Sequence, residues 1–190
     1  MAWETSKCTA RRSAQGHLQR LVGVGIDVGA GDDPFRPVAG TCRPWDRKLG
    51  DGDATLLAGV EPNSQDYVYS SHCLEHMADP IRALRRWIEV IKPCGYLYLV
   101  VPDFERYEGG EVIRSRFHRA AFTLQRPGDP KIPLYNVLDL FQAECSRDLL
   151  LWYVALCDEN FDYSLEQSVD QTRRGAVCHI ELLAQKKPQH

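Results

Sequence analysis

The chain has 190 residues, 44% hydrophobic and 26% charged, with a net charge of −3. That is one globular domain's worth of sequence, able to bury roughly 70% of its unfolded surface, and it excludes a disordered or collagenous chain. Without a basic balance, nucleic acid is not expected as a partner.

Seven cysteines stand at scattered positions with no C-x-x-C pair. An odd, unspaced set reads as reduced thiols, not a disulfide frame, and a cytoplasmic location is expected. Glu4, Lys7, Arg11 and Arg12 leave the N-terminus without the apolar core of a signal peptide. No run is long and apolar enough to span a bilayer, and no membrane contact is expected.

Residues 1–15 read as a loose polar segment, with a short helix from Arg11 into Leu21. Trp3 is an isolated aromatic, placed to pack on the domain or on a second subunit. Val22, Val24, Ile26 and Val28 then suit a short buried strand. It breaks into Gly29-Ala30-Gly31, flanked by Asp27, Asp32 and Asp33. Such a turn lets backbone approach a ligand at the end of a first strand. A lone Gly-x-Gly is as often a plain tight turn. Three carboxylates make a poor cradle for pyrophosphate and a better one for a cation with free hydroxyls.

Pro34, Pro37 and Pro44 leave no room for a long helix, and a weak second strand falls at 38–42. Asp46 stands about 20 residues after Asp27, where a ribose diol is gripped in such folds. It reads equally as a loop aspartate beside Arg43 or Arg47. Turns at 50–53 and 61–64 lead to a strand from Asp66 to Ser71, ending in His72-Cys73-Leu74-Glu75-His76.

Asp79 caps and Pro80 opens a helix whose apolar face is Ile81, Leu84, Trp87, Ile88 and Ile91. Lys92-Pro93-Cys94-Gly95 stops it. Tyr96 to Val101 is a central strand closed by Pro102-Asp103, so the unit is a right-handed crossover between parallel strands.

Three blocks together resemble class I S-adenosylmethionine-dependent methyltransferases of the type-11 group. They are residues 27–34, Gly52-Asp53-Ala54, and 66–103, above all Ser71-His72-Cys73-Leu74-Glu75-His76. The resemblance covers about 21–103, slightly under half the chain. Within the group the chain is similar to enzymes of surface-polysaccharide and other glycan pathways, which share an Asp-Asn-Pro-like turn and a Val-Pro-Asp strand end. It departs at Asp33, where a third glycine is usual, at Cys94 in the helix exit, and in the proline-rich stretch before Asp46.

The resemblance implies S-adenosylmethionine as cofactor. Gly29, Ala30 and Gly31 would approach its methionine part, with Asp27 on the amino group directly or through water. Asp46 would take the ribose, Asp53 the adenine amine with the Ala54 N–H near the ring, and Ser71 and His72 would lie where the methyl projects.

Methyl transfer is an in-line displacement at carbon that releases a neutral thioether, so the protein aligns the nucleophile and removes its proton. Candidate bases are His72, Asp103 and His118, with His72 first because it follows the strand end nearest the methyl. His72 equally reads as a polar lining residue, and His76 and Glu75 as capping or loop-bonding groups. A zinc cluster of His72, Cys73 and His76 lacks a second ligand pair, so no metal is expected.

After Asp103 a loop to Gly110 precedes a helix expected over 111–124, then a loop from Arg126 to Pro133. By family analogy 104–135 is an acceptor lid. Arg114, Arg116, Arg119 and Arg126 face either solvent or an anionic acceptor. One or two helices are expected over 136–159, apolar nearly all round, with surplus surface for a homodimer interface. Segments 161–168 and 177–184 are expected as the closing antiparallel strand pair.

The expected fold is a single α/β domain over 1–190: a mainly parallel Rossmann-like methyltransferase sheet with an antiparallel C-terminal edge strand and helices on both faces. It divides into a cofactor-binding half (21–103), the lid (104–135), and the helices and closing strands (136–190). The expected activity is methylation of a small molecule, first of all an oxygen of a sugar, anionic or other glycan precursor. The competing reading is a non-catalytic S-adenosylmethionine-binding subunit that docks a partner through its C-terminal helices. A nicotinamide-dependent oxidoreductase is disfavoured by the acid-rich turn.

Overall fold

The computed structural model describes residues 4–110, 115–125 and 132–189. Trp3, Arg114 and Arg126, and most of the loop expected from Arg126 to Pro133, lie outside them.

Six strands form one sheet in the order β2-β1-β3-β4-β8-β7. They are β1 (Gly23–Val28), β2 (Gly40–Trp45), β3 (Gln65–Ser71), β4 (Ile91–Pro102), β7 (Leu149–Cys157) and β8 (His179–Lys186). The first four are mutually parallel; β8 runs antiparallel to both β4 and β7. The parallel sheet with an antiparallel closing pair is the architecture expected. Residues 29–39 join β1 to β2 without a helix, as their prolines require.

Side chains alternate across the sheet and divide it into two faces. Ile26, Val28, Val68, Leu97, Leu99, Ile180 and Leu182 pack on one face under helix α2 (Pro80–Val90) and its neighbours. Tyr67, Tyr69, Tyr98 and Leu183 point to the other, against Phe35, Leu18 and Leu21. Asp79 accepts the Arg82 N–H and Pro80 opens α2, so the capping signal reads true. The helix ends at Val90, one residue before the apolar stripe does. The Lys186 ammonium reaches the Ile88 and Ile91 carbonyls at 2.9 and 2.7 Å and satisfies the helix end from a different strand.

The N-terminal segment is not loose. Ser6–Cys8 and helix α1 (Thr9–Ala14) lie against the second face. Arg12 is 1% exposed there, with Nε 2.6 Å from Glu181 and Nη1 2.7 Å from the Tyr69 hydroxyl. Its buried anionic partner sits on β8, and nothing local in the sequence points to it.

Two C-terminal expectations are corrected. Asn136 caps a short helix, α3 (Val137–Leu140), which continues as a π-helical turn to Cys145. The run after it is strand β7, not helix. A short all-apolar run fits either state, and β8 needs a second partner; its Trp, Tyr and Val favour the sheet. Of the helices through which a partner was expected to dock, the first is present over 137–145 and the second is a strand, with Leu150 and Trp152 half exposed. Residues 161–168 form turns, because Asp162 Oδ1 takes the Ser164 N–H and hydroxyl and holds the chain bent. The described part of the expected 111–124 helix is also non-helical. It carries β5 (Ala121–Thr123), which pairs in parallel with β6 (Leu134–Asn136) in a separate two-stranded sheet.

Candidate functional site

The carboxyl ends of β1, β2 and β3 open onto one crevice. It has two adjoining cavities of about 500 and 510 Å³, and Gly29, His72 and His76 line both. An open parallel sheet places its ligand at this position.

The turn after β1 is set by packing as much as by dihedral. Gly29 has φ +81°, and a Cβ there would lie 2.4 Å from the Cys73 Cβ. Gly31, at φ +53°, faces nearly open space, so its side is free for a ligand. Asp27 is not on the crevice wall. Its carboxylate lies beneath the turn, accepts the Phe35 N–H at 2.7 Å, and closes the loop 29–35. Burial raises its pKa to about 7, and Asp33 and Asp46 nearby push the same way.

Asp46 directly follows β2 and does line the crevice. It accepts from Gly31 N–H at 3.1 Å and Lys48 N–H at 2.8 Å, and so ties the glycine turn to the next strand end. Arg43 pairs with Asp51 at 2.6 Å, and neither Arg43 nor Arg47 pairs with Asp46 among the described ion pairs. Asp53 and Ala54 line the far end, with the Asp53 carboxylate accepting from Thr55 N–H.

Ser71 and His72 close the crevice at the end of β3. His72 sits at φ 52°, a left-handed conformation uncommon outside glycine and concentrated at functional sites. Burial lowers its pKa to about 3, against the pull of Glu4, so the ring is neutral and a weak base.

Asp103 and His118, the other candidate bases, line neither cavity. Asp103 is held by Arg106, whose backbone N–H and Nη1 both reach Oδ1 at 3.0 Å. His118 lies behind His76 with ring centroids 4.7 Å apart, and its Nδ1 bonds the Glu108 carboxylate. Burial, the largest single influence, lowers the His118 pKa, but the Glu108 hydrogen bond and the charges of Glu75 and Glu108 together outweigh it, and the net shift is upward.

Several site residues escaped the sequence reading. Glu4 and Thr5 of the N-terminal arm line the second cavity, and Thr5 and Ser6 N–H groups each donate to Asp33 at 2.9 Å. Tyr107 lies beside His72 with its ring tilted against the imidazole, centroids 5.3 Å apart. His179, from β8, stands 5.7 Å from His72. Only Glu75 and His76 carried a local signal, their place in the His72–His76 strand exit.

A polar ligand fits this wall. The Trp45 Nε1, Ser71 Oγ and His72 Nε2 atoms are buried without a hydrogen-bond partner among the described residues, and all three residues line the crevice. Orphaned donors and acceptors on a cavity wall are what a polar ligand satisfies. Among the described residues no helix is long and apolar enough to cross a membrane. All seven cysteines are free.

A family described as "Methyltransferase domain" matches residues 26–99, which contain the glycine turn, Asp46, Asp53 and the His72–His76 exit. No curated protein sequence matches the chain. Among solved structures it is similar to the YcgJ protein of Bacillus subtilis, with a TM-score of 0.60 and 15% identity over 95% of this chain and 100% of that one. It is also similar to a SAM-dependent methyltransferase from Archaeoglobus fulgidus, with a TM-score of 0.55 and 15% identity, covering 97% and 94% of the two chains. A third similar structure is the [4+2]-cyclase SpnF, with a TM-score of 0.55 and 14% identity, covering 95% and 82%. The fold is thus one found in S-adenosylmethionine-dependent methyltransferases. A cyclase among the neighbours illustrates that the fold alone does not name the reaction.

Proposed function

We propose that the chain transfers the methyl group of S-adenosylmethionine to a hydroxyl oxygen of a small molecule, with a sugar or glycan precursor as acceptor. The observation that carries this reading is the shared crevice. The glycine turn, Asp46 and the Asp53–Ala54 turn line its donor end, and His72 and His76 stand between the two cavities.

Bound there, S-adenosylmethionine supplies a methyl group on a sulfonium. Gly29, Ala30 and Gly31 would receive its methionine part, Asp46 its ribose diol and Asp53 with Ala54 its adenine. Ser71 and His72 would face the methyl. The second cavity offers Glu4, Thr5, His76 and Tyr107, a hydrogen-bonding wall that suits a hydroxylated acceptor.

An oxygen nucleophile needs its proton removed as the bond to carbon forms. His76 is the imidazole best placed for this. Its Nδ1 lies 3.2 Å from the Phe117 carbonyl and donates to it, so in the neutral ring Nε2 is a free lone pair. The bound donor would supply its methyl carbon to the acceptor oxygen, with the electron pair of the carbon–sulfur bond left on sulfur. The proton passes to His76 Nε2.

The test is calorimetry with S-adenosylhomocysteine, followed by assay of its formation over sugars, sugar phosphates, nucleotide sugars, amines and quinols. Turnover confined to hydroxylated sugars is the expected result. His76→Ala is expected to keep product binding and to lower turnover about 100-fold or more. Donor binding without turnover on any acceptor would instead favour the non-catalytic subunit.

A further inference from the structure

Glu75 is fully buried, and neither carboxylate oxygen has a hydrogen-bond partner among the described residues. Burying an unpaired carboxylate is expensive, so native proteins do so where something else completes it. Three imidazole nitrogens face its Oε1: His72 Nδ1 at 3.7 Å, His76 Nε2 at 3.8 Å and His118 Nε2 at 3.9 Å. The last two share with Glu75 a set of ligand atoms that lie within 4.8 Å of one another.

The far side of each ring decides what those nitrogens present. His76 Nδ1 faces the Phe117 carbonyl, which can only accept. His118 Nδ1 faces the Glu108 carboxylate. Both rings therefore carry a proton on Nδ1, and in the neutral form each aims an Nε2 lone pair at Glu75. A carbonyl or carboxylate behind an imidazole is the arrangement that orients a metal-bound histidine. Ligands in a tetrahedral zinc site lie about 3.4 Å apart. The two imidazole–carboxylate separations need to close by about half an ångström to reach that spacing, and the two imidazole nitrogens start within 4.8 Å of each other.

We propose that Glu75, His76 and His118 form a binding site for one divalent cation of the zinc class, open toward the crevice at His76. Two imidazoles and one carboxylate favour zinc, cobalt or nickel over magnesium and calcium, which take oxygen ligands. His76 lines both cavities and its side chain is 39% exposed, so the unprotected coordination position faces the acceptor. With the cation bound, a hydroxyl on it would lose its proton more easily to water, and His76 Nε2, then a ligand, would not also serve as the base. That use rests on the methyl-transfer reading; the cation site itself rests on the geometry alone.

Another set of donor groups, around Glu181, is already engaged. Glu181, beside Cys8 and His179, takes hydrogen bonds from Arg11, Arg12 and Tyr98. Two guanidinium groups there repel a cation. His118 stands far from the strand exit in sequence, so no ligand spacing announces the cluster around Glu75.

The chain, stripped with chelator, is titrated with Zn²⁺ by calorimetry and with Co²⁺ by visible absorption. One equivalent is expected to bind, and the cobalt spectrum is expected to lack a thiolate charge-transfer band. Glu75→Gln preserves shape and removes charge; His76→Ala removes a partly exposed ring and disturbs the fold least. Each is expected to weaken binding at least about tenfold, while Cys8→Ser leaves it unchanged. No stoichiometric cation on folded protein, or equal affinity in Glu75→Gln and His76→Ala, overturns the site. So does loss of binding in Cys8→Ser alone. S-adenosylhomocysteine affinity is read on the same samples: cation binding without it upholds the site and removes the methyl-transfer reading instead.

Discussion

The two walls of the crevice are built by opposite means. The donor wall is local: 29–33, Asp46 and 52–55 follow adjacent parallel strands, and their bonds join near neighbours such as Gly31 and Asp46. The other wall is assembled across the chain. Glu4, His72, Glu75, His76, Tyr107 and His118 meet there, and Arg12, His179 and Glu181 support them from behind. One wall presents backbone and half-exposed carboxylates; the other buries charges. A ligand shared by many proteins can be held by a short motif at strand ends, whereas a site for a variable ligand draws on whatever the whole fold brings near.

The largest test asks whether those buried charges hold the second wall together. Arg12→Ala leaves Glu181, wholly buried, with only Arg11, Tyr98 and His179 as partners. Breaking a buried pair on one side destabilises by about 3–5 kcal/mol. Urea denaturation is expected to register a loss of that order, with the glycine turn untouched. A loss below about 1 kcal/mol would make the N-terminal arm an ornament and not part of the wall.

Asp27 sharpens the contrast from the donor side, where one carboxylate is buried. Its folded pKa is about 7 against 3.8 for the free side chain. The native chain therefore keeps a proton that the unfolded chain has lost. Stability from this group falls as pH rises from about 4 to about 7, with a ceiling of about 4 kcal/mol. Asp27→Asn can still accept the Phe35 N–H and carries no charge. It is expected to match the unaltered chain near pH 4 and to exceed it in denaturation midpoint at pH 8. A variant less stable at pH 8 would mean that the charge, not the acceptor, closes the loop.

What could be read without coordinates follows the same division. Strand β3, helix α2 and the central part of β4 announce themselves, because apolar period, cap and stop chemistry are all local. The donor turn does too, since only glycine tolerates both φ +81° and the Cys73 side chain. Arg12 looked solvated because its partner Glu181 lies at the other end of the chain. His118 looked like one side of a helix, and its true neighbours, Glu75, His76 and Glu108, are set by a turn that has no helical period. Strand β7 failed for a different reason: a run apolar on every side has no period, and only β8 decides its state.

The smallest expected effect separates two readings of Asp46. As a loop residue it only ties Gly31 to Lys48, and Asp46→Asn loses one of two backbone acceptors at a partly exposed site. Stability would then fall by about 1 kcal/mol and donor affinity would follow only as the turn loosens. As the ribose acid it accepts from hydroxyls with a charged oxygen, and such a bond is worth about twice a neutral one. Calorimetry with S-adenosylhomocysteine and with its 2′-deoxy analogue distinguishes them. The ribose reading expects Asp46→Asn to weaken the parent ligand about tenfold and the deoxy analogue much less. Equal weakening of both would return Asp46 to the loop, and the donor wall would then grip its ligand through the glycine turn and the Asp53 end alone.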